Sequence, residues 1–222
     1  MSEKFLHAHP YPPFIPEGTT KLIVGTLPPP RFSGYGLLKP DDVDFCYGSR
    51  DGQLWKILGI IFQTDFLFEN TQEAVHQRKK FLSENKIGIC DIIESCRRTK
   101  IDASDLGMQD VVLRDFFRYL EAFPSIEMLL FTGGSSQNSP EYFFRKYLKC
   151  KGITMKLLSE ETPRIHEFSF HKRIIKTVSL TAPSGSANRA VGSIPLYKKL
   201  KKQHPNFSTI DFRVMQYEAF FK

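Results

Sequence analysis

Two segments far apart in the chain have the residue types of a binding site. The first, KLIVGTLPPP (Lys21 to Pro30), is an apolar run that breaks into glycine and proline. Gly25 leaves backbone groups open to a planar ring or a phosphate, and Pro28 to Pro30 stiffen the loop. The second, TVSLTAPSGSANRA (Thr177 to Ala190), is an apolar run that breaks into small residues. Ser184, Gly185 and Ser186 are small enough for the chain to approach phosphates, while Asn188 and Arg189 are polar side chains of longer reach. Loops leaving the carboxyl ends of strands in an open parallel sheet line one crevice, so the two can meet on one ligand. Asp91, which ends the run IGIC, can accept a bond from a ring N–H or an exocyclic amine; it can equally cap a helix over Ile92 to Arg97. Gly133, Gly134, Ser135 and Ser136 suit a phosphate-binding turn and, just as well, a strand-to-helix turn.

The surroundings of these residues are basic and aromatic. The 222 residues carry a formal charge of +7 and 20 Phe, and the pI is near 9.2. A polyanionic partner, approached through the field and gripped through rings, fits that balance. The runs His171, Lys172, Arg173 and Lys198, Lys199, Lys201, Lys202 would add phosphate contacts or simply form solvated faces. Cys46, Cys90, Cys96 and Cys150 contain no CxxC pair, which favours free thiols in a reducing compartment over zinc or an iron–sulfur cluster. The histidines have no HxxxH or HExxH spacing, and His7 and His9 are expected in a solvated, Pro-rich arm. No cofactor or metal is expected. No apolar run is long enough to span a bilayer, and MSEKFLHAHPYPPF lacks the apolar core of a signal peptide; a soluble, cytoplasmic monomer is the expectation.

One domain is expected over residues 1–222, with 1–18 as the arm. LIVGT, IGICDII, MLLFTGG and RIIKTVSLT predict four core strands, and ITMKLLS an edge strand. QLWKILGIIF sets Leu54, Trp55, Leu58 and Ile61 at helical spacing, which makes Trp55 a core residue. Further helices are predicted over Thr71 to Glu84, over Asp110 to Glu121, after the Ser139 N-cap and Pro140, and from Ser193 onward with a break at Pro205. Strands alternating with helices predict an α/β protein, a three-layer α/β/α sandwich around a mainly parallel four-stranded sheet.

The order LIVGTLPPP, FCYGSRDGQLWKIL, GICDIIESCRR, LLFTGG, LTAPSGSANRA resembles the uracil-DNA glycosylase superfamily, most nearly its mismatch-specific and hypoxanthine-directed branches. The resemblance spans about Lys21 to Leu200. It implies a DNA glycosylase of base-excision repair that flips a deaminated base, of the uracil or hypoxanthine class, out of DNA and hydrolyses its N-glycosidic bond without a metal. It places Gly25, Thr26, Leu27, Tyr47 and Asp91 in the base pocket, with Tyr47 as the stacking ring and Asp91 reading the edge of the base. It makes the segment containing Ser184 to Arg189 the one that enters the duplex. The chain departs from the pattern at Leu27 and Gly52, where branches of the family carry a water-holding Asn or Asp, and at Ala182, where several carry His. Asp51 or Asp91 is therefore the expected water-orienting carboxylate. The alternatives are a non-hydrolytic binder of damaged DNA or of a modified base, and an enzyme of nucleotide metabolism that shares only the loop geometry.

Overall fold

The computed structural model describes residues 4–134 and 136–222. In chain order the elements are β1 (Phe5–Ala8), β2 (Lys21–Val24), α1 (Leu54–Phe62), α2 (Gln72–Glu84), β3 (Ile87–Ile89), β4 (Ile93–Arg98), β5 (Gln109–Leu113), α3 (Phe116–Ala122), β6 (Met128–Phe131), α4 (Pro140–Cys150), β7 (Lys156–Ser159), β8 (Arg164–Phe170), β9 (Arg173–Ser179), α5 (Asn188–Ser193), α6 (Pro195–Gln203) and α7 (Thr209–Phe221).

The four expected core strands lie side by side and parallel in the order β3-β2-β6-β9. Strand alternation sends successive side chains to opposite faces. Leu22, Val24, Leu129 and Phe131 pack on one face with α3 and α4 through Phe116, Leu120, Phe143 and Phe144. Ile23, Leu130 and Val178 pack on the other with Leu54, Trp55, Leu58, Phe81 and Tyr217. Helices on both faces give the α/β/α sandwich. From β2 the chain steps to β3 on one side and then to β6 on the other, so the sheet has a switch point at β2, where open α/β sheets bind ligands.

Three expectations are corrected. The sheet has six strands, because β8 and β7 extend it antiparallel beyond β9; β7 is the expected edge, but β8 was not foreseen. Ile93–Arg98 is a strand, so Asp91 caps no helix there, and Gln109–Leu113 is a strand where a helix was expected. Both pair in a separate antiparallel sheet of order β1-β4-β5, whose cross-strand bonds outweigh the local helical pattern. The helix begins later, at Phe116. The described part of the arm, residues 4–18, is also tied to both sheets. Its β1 pairs with β4, and Phe14 exchanges backbone bonds of 2.9 and 2.8 Å with Ile89, covering the open edge of β3. The Ser139 cap on α4 is as expected, its hydroxyl accepting from the Tyr142 N–H. Cys46, Cys90 and Cys96 are buried thiols, whereas Cys150 is exposed.

Candidate functional site

The carboxyl ends of β2, β3, β6 and β9 open into a cleft of about 860 Å³, a size that suits a small ligand. Gly25 to Pro29, Tyr47, Asp51, Asp91, Thr132 and Pro183 to Ala187 all line it. The two loops singled out in the sequence therefore meet, and they are tied together: Gln53 donates its backbone N–H to the Pro183 carbonyl at 2.8 Å, and Gly52 bridges Ser184.

Asp91 organises the floor. It is 7% exposed, and its Oδ1 accepts from the Gly25 N–H at 2.7 Å and from the Tyr47 hydroxyl at 3.1 Å. Its Oδ2 lies 2.9 Å from His9 Nε2. The Tyr11 N–H donates to His9 Nδ1 at 3.2 Å, which leaves Nε2 as the nitrogen that donates to Asp91. Gly25 is required here by close approach: a Cβ would collide with the Tyr47 hydroxyl and would lie 2.7 Å from Asp91 Oδ1. The Thr26 and Leu27 N–H groups have no acceptor among the described residues and are available to a ligand. Leu27 itself packs in part against the core.

Tyr47 adopts a left-handed backbone with φ 57°, a conformation that costs an ordinary residue about 1–2 kcal/mol and is imposed by its neighbours. Val43 and Gly48 close a tight loop through a 2.7 Å bond, and the Trp55 indole holds the Cys46 carbonyl at 3.0 Å. The phenol oxygen also lies 3.1 Å from Thr132 Oγ1. Burial first, and then the Asp91 charge, push the phenol well above its ordinary range, so Tyr47 stays neutral. Fully buried Asp42 holds the rest of the loop, taking the Arg31 guanidinium at 2.7 and 2.9 Å and the N–H groups of Lys39 and Arg50 at 2.8 Å. Burial alone would raise its pKa, but these donors win and hold the carboxyl below its ordinary range. Asp51 stands at the mouth, 68% exposed and 3.5 Å from Arg31.

A third carboxylate, not singled out in the sequence, lines the cleft. Asp105 Oδ1 accepts from the Thr26 hydroxyl at 2.8 Å, and Oδ2 has no partner among the described residues. Its loop is pinned on both sides, by Arg98 donating to the Ser104 carbonyl at 2.7 Å and by Asn138 donating to the Asp105 carbonyl at 2.9 Å. Arg98 is buried and also donates to His7 Nδ1 at 2.9 Å. Burial, with Arg98 and His9 adding to it, lowers His7 to about 4. His7 and His9 are thus buried supports of the two acids and not a solvated arm. The alternation FLHAH was the available signal: residues two apart in a strand share a face.

The far loop is held from behind. Buried Arg213 on α7 donates to the Ala182 carbonyl at 2.9 Å, the Ser184 carbonyl at 3.0 Å and Asn188 Oδ1 at 2.9 Å. Thr209 also donates to Asn188 Oδ1, at 3.0 Å. The acceptor oxygen of Asn188 thus faces α7, and Asn188 does not line the cleft. Ser184, Gly185 and Ser186 line the cleft; Arg189 is exposed and has no ion pair among the described residues. The lysines of α6 are exposed on the helix that packs against α5, beside this loop. His171, Lys172 and Arg173 instead sit where β9 begins, about 20 Å from the rim by strand rise, and Arg173 is engaged with the carbonyls of Leu120, Pro124 and Ile126. Gly133 and Gly134 do not line the cleft, and Ser135 lies outside the described residues. Among the described residues no group of three or more His, Cys, Asp or Glu is placed to hold a metal ion, and no helix is long and apolar enough to cross a membrane.

No protein-family model matches the chain. It is 28% identical over 152 residues to a hypoxanthine DNA glycosylase of Methanosarcina barkeri, covering 67% of this chain and 82% of that one. It is 26% identical over 160 residues to a hypoxanthine DNA glycosylase of Methanosarcina acetivorans, covering 72% and 89%. The fold matches a solution NMR structure of a Methanosarcina acetivorans protein described as a uracil DNA glycosylase, with a TM-score of 0.57 and 18% identity over 98% of this chain and 97% of that one. These likenesses support a relationship to the uracil-DNA glycosylase superfamily. In an open α/β sheet the cleft at the switch point is where a ligand binds.

Proposed function

We propose that the chain is a monofunctional DNA glycosylase that takes a deaminated base, of the uracil or hypoxanthine class, out of the duplex and hydrolyses its N-glycosidic bond. The observation that carries this reading is the single cleft shared by Tyr47, Asp91 and the loop Ser184 to Ser186, in a chain whose relatives are named hypoxanthine DNA glycosylases. In this reading the Tyr47 ring stacks on the base, and the Thr26 and Leu27 N–H groups bond its carbonyl oxygen. Asp91, already occupied by three donors, keeps Gly25 and Tyr47 in place. Asp51 is a rim group beside Arg31. Ser184, Gly185 and Ser186 approach the backbone, while Arg189 and the α6 lysines add salt-sensitive phosphate contacts.

The test is incubation of duplex oligonucleotides containing hypoxanthine, uracil or xanthine with the protein, followed by alkaline cleavage of abasic sites. Base release from at least one of the three is expected. Tight retention of a duplex with no abasic site formed would replace the enzyme by a non-hydrolytic binder; action on mononucleotides with little affinity for DNA would remove both.

A further inference from the structure

We propose that Asp105 is the catalytic carboxylate that orients and deprotonates the attacking water, a role that rests on the glycosylase reading above. Three acids line the cleft: Asp51, Asp91 and Asp105. Asp91 uses both oxygens on protein donors, and Asp51 lies at the mouth with its charge against Arg31. Asp105 alone combines an oriented carboxylate with an oxygen left open. The Thr26 hydroxyl fixes Oδ1, Arg98 and Asn138 fix the flanking backbone, and Oδ2 remains for a water in the cleft. Thr26 is also the residue after Gly25, so the acid and the floor that receives the base are coupled through one loop.

The groups facing Asp105 set its basicity. Burial raises its pKa most, and the Asp91 charge adds to this; the Thr26 hydroxyl and the Arg98 charge oppose, leaving the carboxyl at about 6. It is then ionised at neutral pH yet basic enough to take a proton. In the reaction the C1′–N bond breaks and its electron pair leaves with the base, while water oxygen bonds to C1′. The proton of that water passes to Asp105 Oδ2 and then to solvent, and the departing base gains a proton from solvent.

The test is single-turnover base release from a hypoxanthine-containing duplex between pH 4.5 and 8.5, with the full chain. The wild-type rate should fall about tenfold per pH unit below about 6 and be level above it. Asp105→Asn should be at least about 100-fold slower, with no break near that pH, while duplex affinity changes by less than about threefold. Thr26→Val, which keeps the acid and removes its hydroxyl partner, should move the break upward, and serves alone if Asp105→Asn does not fold. A rate for Asp105→Asn within threefold of wild type, or an unmoved break in Thr26→Val, overturns the assignment. Wild type that releases none of hypoxanthine, uracil or xanthine removes the glycosylase reading and this role with it; release by wild type with an unaffected Asp105→Asn removes the role alone.

Discussion

The floor and the side wall of the cleft each hold one acid, and the two acids are treated oppositely. Asp91 on the floor meets three donors from three separate segments, whereas Asp105 on the wall meets one hydroxyl and keeps an oxygen open. A carboxylate whose lone pairs are spent on the protein is part of the frame; one that the frame steers yet leaves unfinished is available for reaction. Asp91 is buried and Asp105 half-buried, but that difference alone does not assign their roles. The number of donors does.

The largest stability effect should come from breaking the floor. Asp91→Ala strands the Gly25 N–H and His9 Nε2 and leaves the Tyr47 hydroxyl only Thr132, and a loss of about 3 kcal/mol in urea unfolding is expected; a loss under about 1 kcal/mol would mean the floor is not built on this acid. Next come two opposite pH slopes. His7, neutral in the fold and lowered to about 4, resists the proton that the unfolded chain takes up near 6.5. Its contribution is therefore lost as pH falls from about 6.5 to about 4, by roughly 2–3 kcal/mol. Asp105, raised to about 6, does the reverse: its charge is disfavoured in the fold, so stability is lost as pH rises from about 4 to about 6. Its side chain opens on the cleft, so about 1–2 kcal/mol is expected after solvent screening. His7→Gln should flatten the acid slope, and Asp105→Asn should be more stable than wild type at pH 7.5 but equal to it at pH 4; melting curves across this window check both. Smallest is Tyr47→Phe, which removes the hydroxyl from Asp91 and Thr132. It should cost about 1 kcal/mol of stability and leave base stacking in place, so a collapse of duplex retention in this variant would argue that the phenol, and not the ring face, contacts the ligand.

The parallel half of the fold was legible because buried strands such as LIVG and MLLF are short apolar runs bounded by glycine, and Ser139-Pro140 is a strong helix start. The antiparallel sheet was not. Strand β4, of sequence IESCRR, pairs on one side with β1 in a distant segment and on the other carries β5, QDVVL; no local window around either strand contains β1. The site divides in the same way. Loops at Gly25 and Ser184 announce themselves by small residues, whereas Asp105 lies in a polar stretch, TKIDASDLG, where nothing local distinguishes it from Asp102. Asn188 shows the converse. Its type suits a groove, but the buried Arg213 that claims its oxygen is 25 residues away.

The amino-terminal strap has a mechanical corollary. His9 braces Asp91 across 82 residues of sequence, and His7 braces Arg98, hence the Asp105 turn, across 91. Two acids on successive loops, one between β3 and β4 and one between β4 and β5, thus hang from one short peptide. Slippage of that peptide by a single residue would turn both imidazoles outward together, so the cleft loses its frame and its reactive group in one movement.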